Sequence, residues 1–250
     1  MAVAKTALWI AESQMMKETE DVVNMSLDFL PLKTNAHIHE GNALRLDWEK
    51  IVPKKNLNYI MGNPPFVGYS TQSASQKEDI LSIYVDEKGK PYKTAGKIDY
   101  VAGWFFKASN MMKDTTIRSA FVSTNSITQG EQVASIWKPL YNRFGIHIDF
   151  AYRTFQWDSE ASEKAHVHCV IIGYSFVTNN VSPKLLYIGN KTHYAANINA
   201  YLLNAPDIFI ESRSKPICQI PPMIYGNKPV DGGNLIIEND EIGLFPRKCG

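Results

Sequence analysis

Apolar positions in the opening residues recur at helical spacing. Val3, Ala7 and Ile10, with Gln14 a turn further on, form one stripe that Ala4, Leu8 and Ala11 widen. No capping residue precedes this helix, so it reads as already under way at residue 1. Pro31 closes the region, and Ala36-His37-Ile38-His39 alternates into a strand that ends at Glu40-Gly41-Asn42. The segment from Asn42 to Trp48 leads through Pro53 and two lysines into a short apolar run, Tyr59-Ile60-Met61-Gly62, expected as a buried strand. Beyond Phe66 the chain is largely polar as far as Lys97. Ser73 followed by Gln76 has capping-box spacing and starts a short helix reaching Tyr84. The charged stretch 86–97, with Gly89, Pro91 and Gly96, reads equally as a flap over a site or as a solvated loop.

A stronger helical pattern follows. Tyr100, Val101, Trp104, Phe105, Ala108, Met111 and Met112 fall on one face, with Asp99 at the N-terminal end. Arg118 to Val122 is the next strand and ends in Ser123-Thr124-Asn125-Ser126. Gly130 precedes a helix carrying Val133, Ile136, Trp137, Leu140 and Tyr141. Strands are then expected over 146–151, 166–176 and 185–188. Strand and helix alternating, then two strands in succession, is the pattern of a doubly wound α/β sheet with a terminal antiparallel hairpin. Such sheets bind ligands at the carboxyl ends of their strands. After Thr192 proline and glycine punctuate the chain: Pro206, Pro216, Pro221, Pro222, Gly226, Pro229, Gly232 and Gly233. The organisation expected is one domain over 1–195 and the start of another over 196–250.

Composition narrows the partners. The 250 residues carry 26 Lys and Arg against 25 Asp and Glu, a net charge of +1, so no global field drives the chain onto nucleic acid. Three scattered cysteines, Cys169, Cys218 and Cys249, argue against a disulfide framework and suit a reducing compartment. Neither a run of about 18 apolar residues nor a basic segment with an apolar h-region occurs. A cytoplasmic location is expected.

The chemistry concentrates where the apolar run ends, in Asn63-Pro64-Pro65-Phe66. Two prolines fix φ and remove two backbone donors. The carbonyls of Asn63 and Pro64 are thereby free to accept from a ligand, beside the Asn63 amide oxygen and the flat face of Phe66. Three acceptors around one point suit an amino group, and the ring suits a planar heterocycle. A strand leaving its sheet through a Pro-Pro loop is the plainer alternative.

Asn-Pro-Pro-Phe after an apolar strand resembles the catalytic motif of the amino-group DNA methyltransferases. Asp99-Tyr100 opening an aromatic helix, Ser119–Asn125, and Phe155-Gln156-Trp157 before a strand are similar to that family's later elements. The tail from Lys215-Pro216 through Asp231-Gly232-Gly233 resembles the start of the target-recognition region of fused restriction–modification enzymes. The resemblance implies a Rossmann-like class I methyltransferase sheet, incomplete at its N-terminus, followed by the start of a mixed recognition domain. It implies transfer of a methyl group from S-adenosylmethionine to the exocyclic amine of a flipped adenine in double-stranded DNA; asparagine before Pro-Pro favours adenine over cytosine N4.

The residues implied in catalysis are Asn63, Pro64, Pro65 and Phe66, with Phe155 and Trp157 as further stacking rings. Phe155 reads alternatively as packing under the hairpin. Asn42, Ala43 and Asn63 are implied in cofactor binding, although Asn42 could equally cap the following turn. Residues 1–62 contain no Gly-x-Gly strand–loop–helix. The chain therefore reads as N-terminally truncated, or as completed by a partner. A non-catalytic DNA-binding or specificity fragment, and a methyltransferase acting on protein glutamine or RNA, remain the competing functions. No Pro-Cys pair for cytosine-C5 chemistry, no paired metal ligands, no P-loop and no serine elbow is present.

Overall fold

A computed structural model of the chain describes residues 2–25, 38–157, 167–179, 182–213, 215–216 and 218–221. Its contacts divide the chain into two units, residues 1–211 and 212–250. Within the second, the Ile220 amide donates to the Cys218 carbonyl at 2.9 Å, closing a turn.

The first unit contains helices α1 (Ala2–Val23), α2 (Trp48–Ile51), α3 (Ala74–Ile83), α4 (Ala102–Met112) and α5 (Gly130–Phe144). Its strands are β1 (Tyr59–Gly62), β2 (Arg118–Thr124), β3 (Ile146–Trp157), β4 (Val167–Phe176), β5 (Lys184–Ile188) and β6 (Lys191–Ala195). They form one six-stranded sheet in the order β1-β2-β4-β3-β5-β6. β1 runs parallel to β2, with Gly62 opposite Phe121. β3 and β4 form the expected antiparallel hairpin, and β4 inserts antiparallel beside β2. Because β3 is thus parallel to β1 and β2, the end of β1 and the Phe155–Trp157 end of β3 lie at one edge of the sheet.

One face of the sheet is covered by α4 and α5. Phe105 packs against Phe121, Trp137 and Tyr174 with ring centroids 5.1, 5.4 and 5.5 Å apart. All four side chains are buried, and each contributes about 1.5–3 kcal/mol of hydrophobic stabilisation on burial. The alternation of β2, buried at Ser119, Phe121 and Ser123 and half-buried between, aims those residues at the helices. On the opposite face Tyr152 stacks on Tyr187 at 4.3 Å, and the Phe150 ring lies over Gly173 so closely that a Cβ there would meet it at 2.0 Å.

Local chemistry explains the helix ends. Ser73 and Gln76 make the capping box foreseen at α3, Gln76 N–H to Ser73 Oγ at 3.3 Å and Ser73 N–H to Gln76 Oε1 at 2.9 Å. α5 ends at Gly145, whose φ of +63° is left-handed. Pro139 lies inside α5 and cannot donate to the carbonyl of Ser135, four residues earlier. The buried Tyr84 hydroxyl takes over that task, donating to Ser135 O and lying 2.9 Å from Ile136 O.

Several expectations change. β1 is not a buried strand: Tyr59 and Met61 are 68 % and 80 % exposed, because β1 pairs only with β2 among the described residues. Ile38 and His39 lie in irregular chain rather than a strand, and Ala36, His37, Pro31 and His166 fall outside the described residues. So does the recognition-like tail from Pro222 onward. β6 was not foreseen; its alternation is weak and only Ala195 is buried. Residues 86–92 are not a flap over the motif. Asp86 Oδ1 accepts from the Lys88 and Lys90 amides at 2.9 Å each, Val85 bridges to Pro91, and Arg143 donates to Val85 O. Arg143 is at the C-terminal end of α5, which leads into the start of β3, so this hairpin lies at the far edge of the sheet from Asn63. Residues 196–211 lie within the first unit: Lys184 Nζ donates to Asn197 Oδ1 at 3.4 Å, and Phe209 meets Tyr141 at 5.4 Å.

Candidate active site

Gly62 ends β1, and the chain then leaves the sheet as an irregular segment over 63–68. Asn63 and Pro65 are exposed, Pro64 is buried and Phe66 is half-buried. The Asn63 side chain has no hydrogen-bond partner among the described residues, and neither has the Pro64 carbonyl. A corner with its backbone donors removed by proline thus exposes the Asn63 amide, with the unpartnered Pro64 carbonyl beside it, at a carboxyl edge of the sheet.

Beneath this corner lies a cavity of about 490 Å³, a size within the ordinary range for small-molecule sites. Asn63, Pro64 and Pro65 form its rim, Trp48, Trp104 and Phe121 supply flat walls, and Ala43 enters from another loop. The structure therefore brings together Asn63, Pro64, Pro65 and Ala43 out of those expected. Phe66 is adjacent in sequence but does not line the cavity. Phe155 is half-buried near the end of β3, on the same sheet edge; Trp157 closes that strand.

Asn42 caps a turn. Its Oδ1 accepts from the Leu44 amide at 2.9 Å, and its carbonyl accepts from the Arg45 and Leu46 amides at 2.9 and 3.0 Å. The turn sets Ala43 into the cavity wall, where the Ala43 carbonyl takes the Trp48 indole N–H at 2.7 Å. Lys107 of α4 fastens the same turn, donating to Leu44 O at 2.6 Å and to Leu46 O, with its ammonium 5.3 Å from the Trp48 ring. Burial pulls the Lys107 pKa below its ordinary value.

Sequence reasoning missed the carboxylate that organises this side. Asp79 of α3 is 4 % exposed and receives Arg45 Nε at 2.6 Å, Asn42 Nδ2 at 2.8 Å and the Tyr100 hydroxyl at 2.8 Å. Burial pushes its pKa up, but the three hydrogen bonds and the Arg45 charge outweigh that and hold it below the usual carboxylate range. Asp79 is an apolar-facing position in a polar helix, a mismatch visible in the sequence only once the helix phase is known. Asp99, expected as a helix-end charge, instead accepts from the Tyr69 amide at 3.0 Å and the Ser126 hydroxyl at 2.6 Å, pinning the segment after the motif to the end of β2. Trp104 and Met111, read as core, are cavity walls.

A parallel-edged α/β sheet with an antiparallel hairpin, an Asn-Pro-Pro-Phe corner at its carboxyl edge and an aromatic cavity below defines a methyltransferase-type fold. Comparison with known proteins makes the family specific: residues 1–188 match the family described as MmeI, DNA-methyltransferase domain, and residues 204–247 match MmeI, target recognition domain. The chain belongs to the MmeI DNA-methyltransferase family. It is 38 % identical over 251 residues to DNA methyltransferase A of Bacillus subtilis (strain 168), covering 98 % of this chain and 28 % of that protein. It is also similar to a solved structure of the type IIL restriction-modification enzyme MmeI in complex with DNA, with a TM-score of 0.79 and 41 % identity. That match covers 95 % of this chain and 32 % of the enzyme. The chain thus spans about a third or less of the relatives it matches. Among the described residues, no helix is long and apolar enough to cross a membrane.

Proposed function

We propose that the protein containing this chain is a restriction–modification DNA methyltransferase that moves a methyl group from S-adenosylmethionine to the exocyclic amine of a flipped adenine. The observation that carries this reading is the exposed, unpartnered Asn63 side chain beside the donor-free Pro64 carbonyl, on the rim of an aromatic cavity. The similarity to a DNA methyltransferase and to a restriction-modification enzyme solved in complex with DNA supports the reaction and the partner.

Adenine's amino nitrogen is a poor nucleophile because its lone pair delocalises into the ring. Asn63 Oδ1 and the Pro64 carbonyl accept its two hydrogens and localise that pair on nitrogen. Positive charge grows there in the transition state, so preorganised acceptors act more strongly on it than on the ground state. Pro65 holds the corner rigid. Taking the base out of the duplex costs a few kcal/mol, and stacking on Phe66, with Phe155 and Trp157 as further rings, returns about 1–3 kcal/mol per base. When bound, the cofactor would supply an electrophilic methyl, its S–CH3 bond breaking to leave a neutral thioether as the N–CH3 bond forms, and the methylated amine would lose one proton to water. The aromatic, largely apolar walls and the Ala43 turn fit a planar adenine end of such a molecule, so Asn42, through its capping of that turn, Ala43 and Asn63 are assigned to hold it. We assign residues 1–195 to the catalytic domain and 196–250 to the passage into target recognition, whose first part, residues 196–211, lies against the catalytic domain. The free thiols of Cys169 and Cys218 suit a reducing cytoplasm.

The test is incorporation of a tritiated methyl group into DNA by the full-length protein, followed by separation of the methylated nucleosides. N6-methyladenine is expected. N4-methylcytosine would correct the target, and retained DNA binding without any transfer would replace catalysis by a specificity role.

A further inference from the structure

We infer that Tyr100 is a positioning residue that couples the cofactor-side turn, Asn42–Trp48, to the catalytic corner, Asn63–Phe66. The inference rests on the function proposed above.

Tyr100 touches both loops with different groups. Its amide donates to the Val67 carbonyl at 2.9 Å, one residue beyond Phe66. Its hydroxyl donates to Asp79 Oδ2 at 2.8 Å and lies 3.4 Å from Asn42 Nδ2. Asp79 in turn holds Asn42 and Arg45, the two residues that flank Ala43 and Leu44. The Tyr100 ring meets Trp104 edge-on at 5.2 Å, and Trp104 walls the cavity between the loops. Tyr100 and Asp79 are each 4 % exposed and the bond between them is buried, whereas Asn42 and Arg45 reach them from the surface. Its neighbour Asp99 adds a second hold on the same post-motif segment through the Tyr69 amide.

The physical consequence is mechanical. A ligand that settles the 42–48 turn fixes Asp79 and hence the Tyr100 ring, and the Tyr100 backbone fixes the segment that carries Phe66. The two ligands then bind with a shared coupling free energy, and by linkage each alters the other's affinity by the same factor. The buried, charge-assisted Tyr100–Asp79 hydrogen bond, made or broken, is the two-state element that such coupling requires.

Tyr100→Phe removes the hydroxyl and keeps the ring against Trp104. The measurement uses the full-length protein, S-adenosylhomocysteine as the cofactor probe, and a duplex carrying the methylation site mapped by the wild type, with 2-aminopurine at the target base. The quantity read is the factor by which saturating cofactor probe tightens DNA binding and raises 2-aminopurine fluorescence. A wild-type factor of about tenfold is expected, within the ordinary range for coupled sites, falling by at least about fivefold in Tyr100→Phe. Asp79→Asn should lower it in the same direction. Tyr84→Phe is the control for stability alone, since that hydroxyl serves α5 and touches neither loop; it should lose stability and leave the factor intact. A wild-type factor near one, an unchanged factor in Tyr100→Phe, or an equal loss in Tyr84→Phe overturns the coupling while leaving the function standing. Failure of the wild type to transfer methyl at all removes the function, and the coupling with it.

Discussion

Tyr84→Phe should destabilise the protein, and Pro139→Ala should recover part of the loss. The ring stays, so no cavity forms and the packing against Tyr92 and Phe106, at 5.3 and 4.7 Å, is kept. What disappears is the donor for Ser135 O and a second contact to Ile136 O. In an α-helix Ile136 O still has the amide of Leu140, four residues on, but Ser135 O has only a proline nitrogen. One partly buried acceptor is therefore left unpaired, which costs about 1–3 kcal/mol. Pro139→Ala restores the missing N–H, and in that background the tyrosine hydroxyl becomes redundant. A double-mutant cycle by urea unfolding should thus give a coupling energy of about 1 kcal/mol or more, with intrinsic proline and alanine propensities cancelling between its arms. Additive losses, or a Tyr84→Phe cost below about 0.5 kcal/mol, would refute the compensation of Pro139 by Tyr84.

Other outcomes follow from the same contacts. Asn63→Ala should lower kcat by about 10²–10³, the ordinary cost of one transition-state hydrogen-bond partner, with DNA affinity in filter binding nearly unchanged; undiminished turnover removes Asn63 from the mechanism. Gly173→Ala drives a methyl into the Phe150 ring and should cost about 1–3 kcal/mol in unfolding experiments. Gly173→Ala/Phe150→Leu should be milder, and an equal loss in both would contradict that contact. Asp79 is held below its unfolded pKa, so its ion pair and hydrogen bonds stabilise the fold above about pH 4 and fade as pH falls through the lowered folded value. The stability gap between wild type and Asp79→Asn should therefore be full at neutral pH and shrink below pH 4; a gap independent of pH would contradict the assignment.

The sequence alone determined the parts of this protein that depend on neighbours in the chain. Helical spacing fixed α4 and α5, Ser73 with Gln76 fixed the start of α3, and Pro64-Pro65 fixed a donor-free corner, because each rests on bonds or turns a few residues long. The resemblance carried by Asn63–Phe66 led to the family for the same local reason. Only the tertiary structure decided what lies across from what. Whether β1 is an edge or a centre depends on which strands flank it, and its exposed Tyr59 and Met61 are the same apolar residues a central strand would show. Asp79, 37 residues from Asn42 and 21 from Tyr100, meets both only after folding, and no local pattern marks a carboxylate that will be buried with three donors. The β6 strand likewise owes its place to pairing with β5 rather than to its own weak alternation. Short-range sterics and periodicity are written residue by residue; burial and long-range pairing are properties of the closed packing, and the site's second loop is made there.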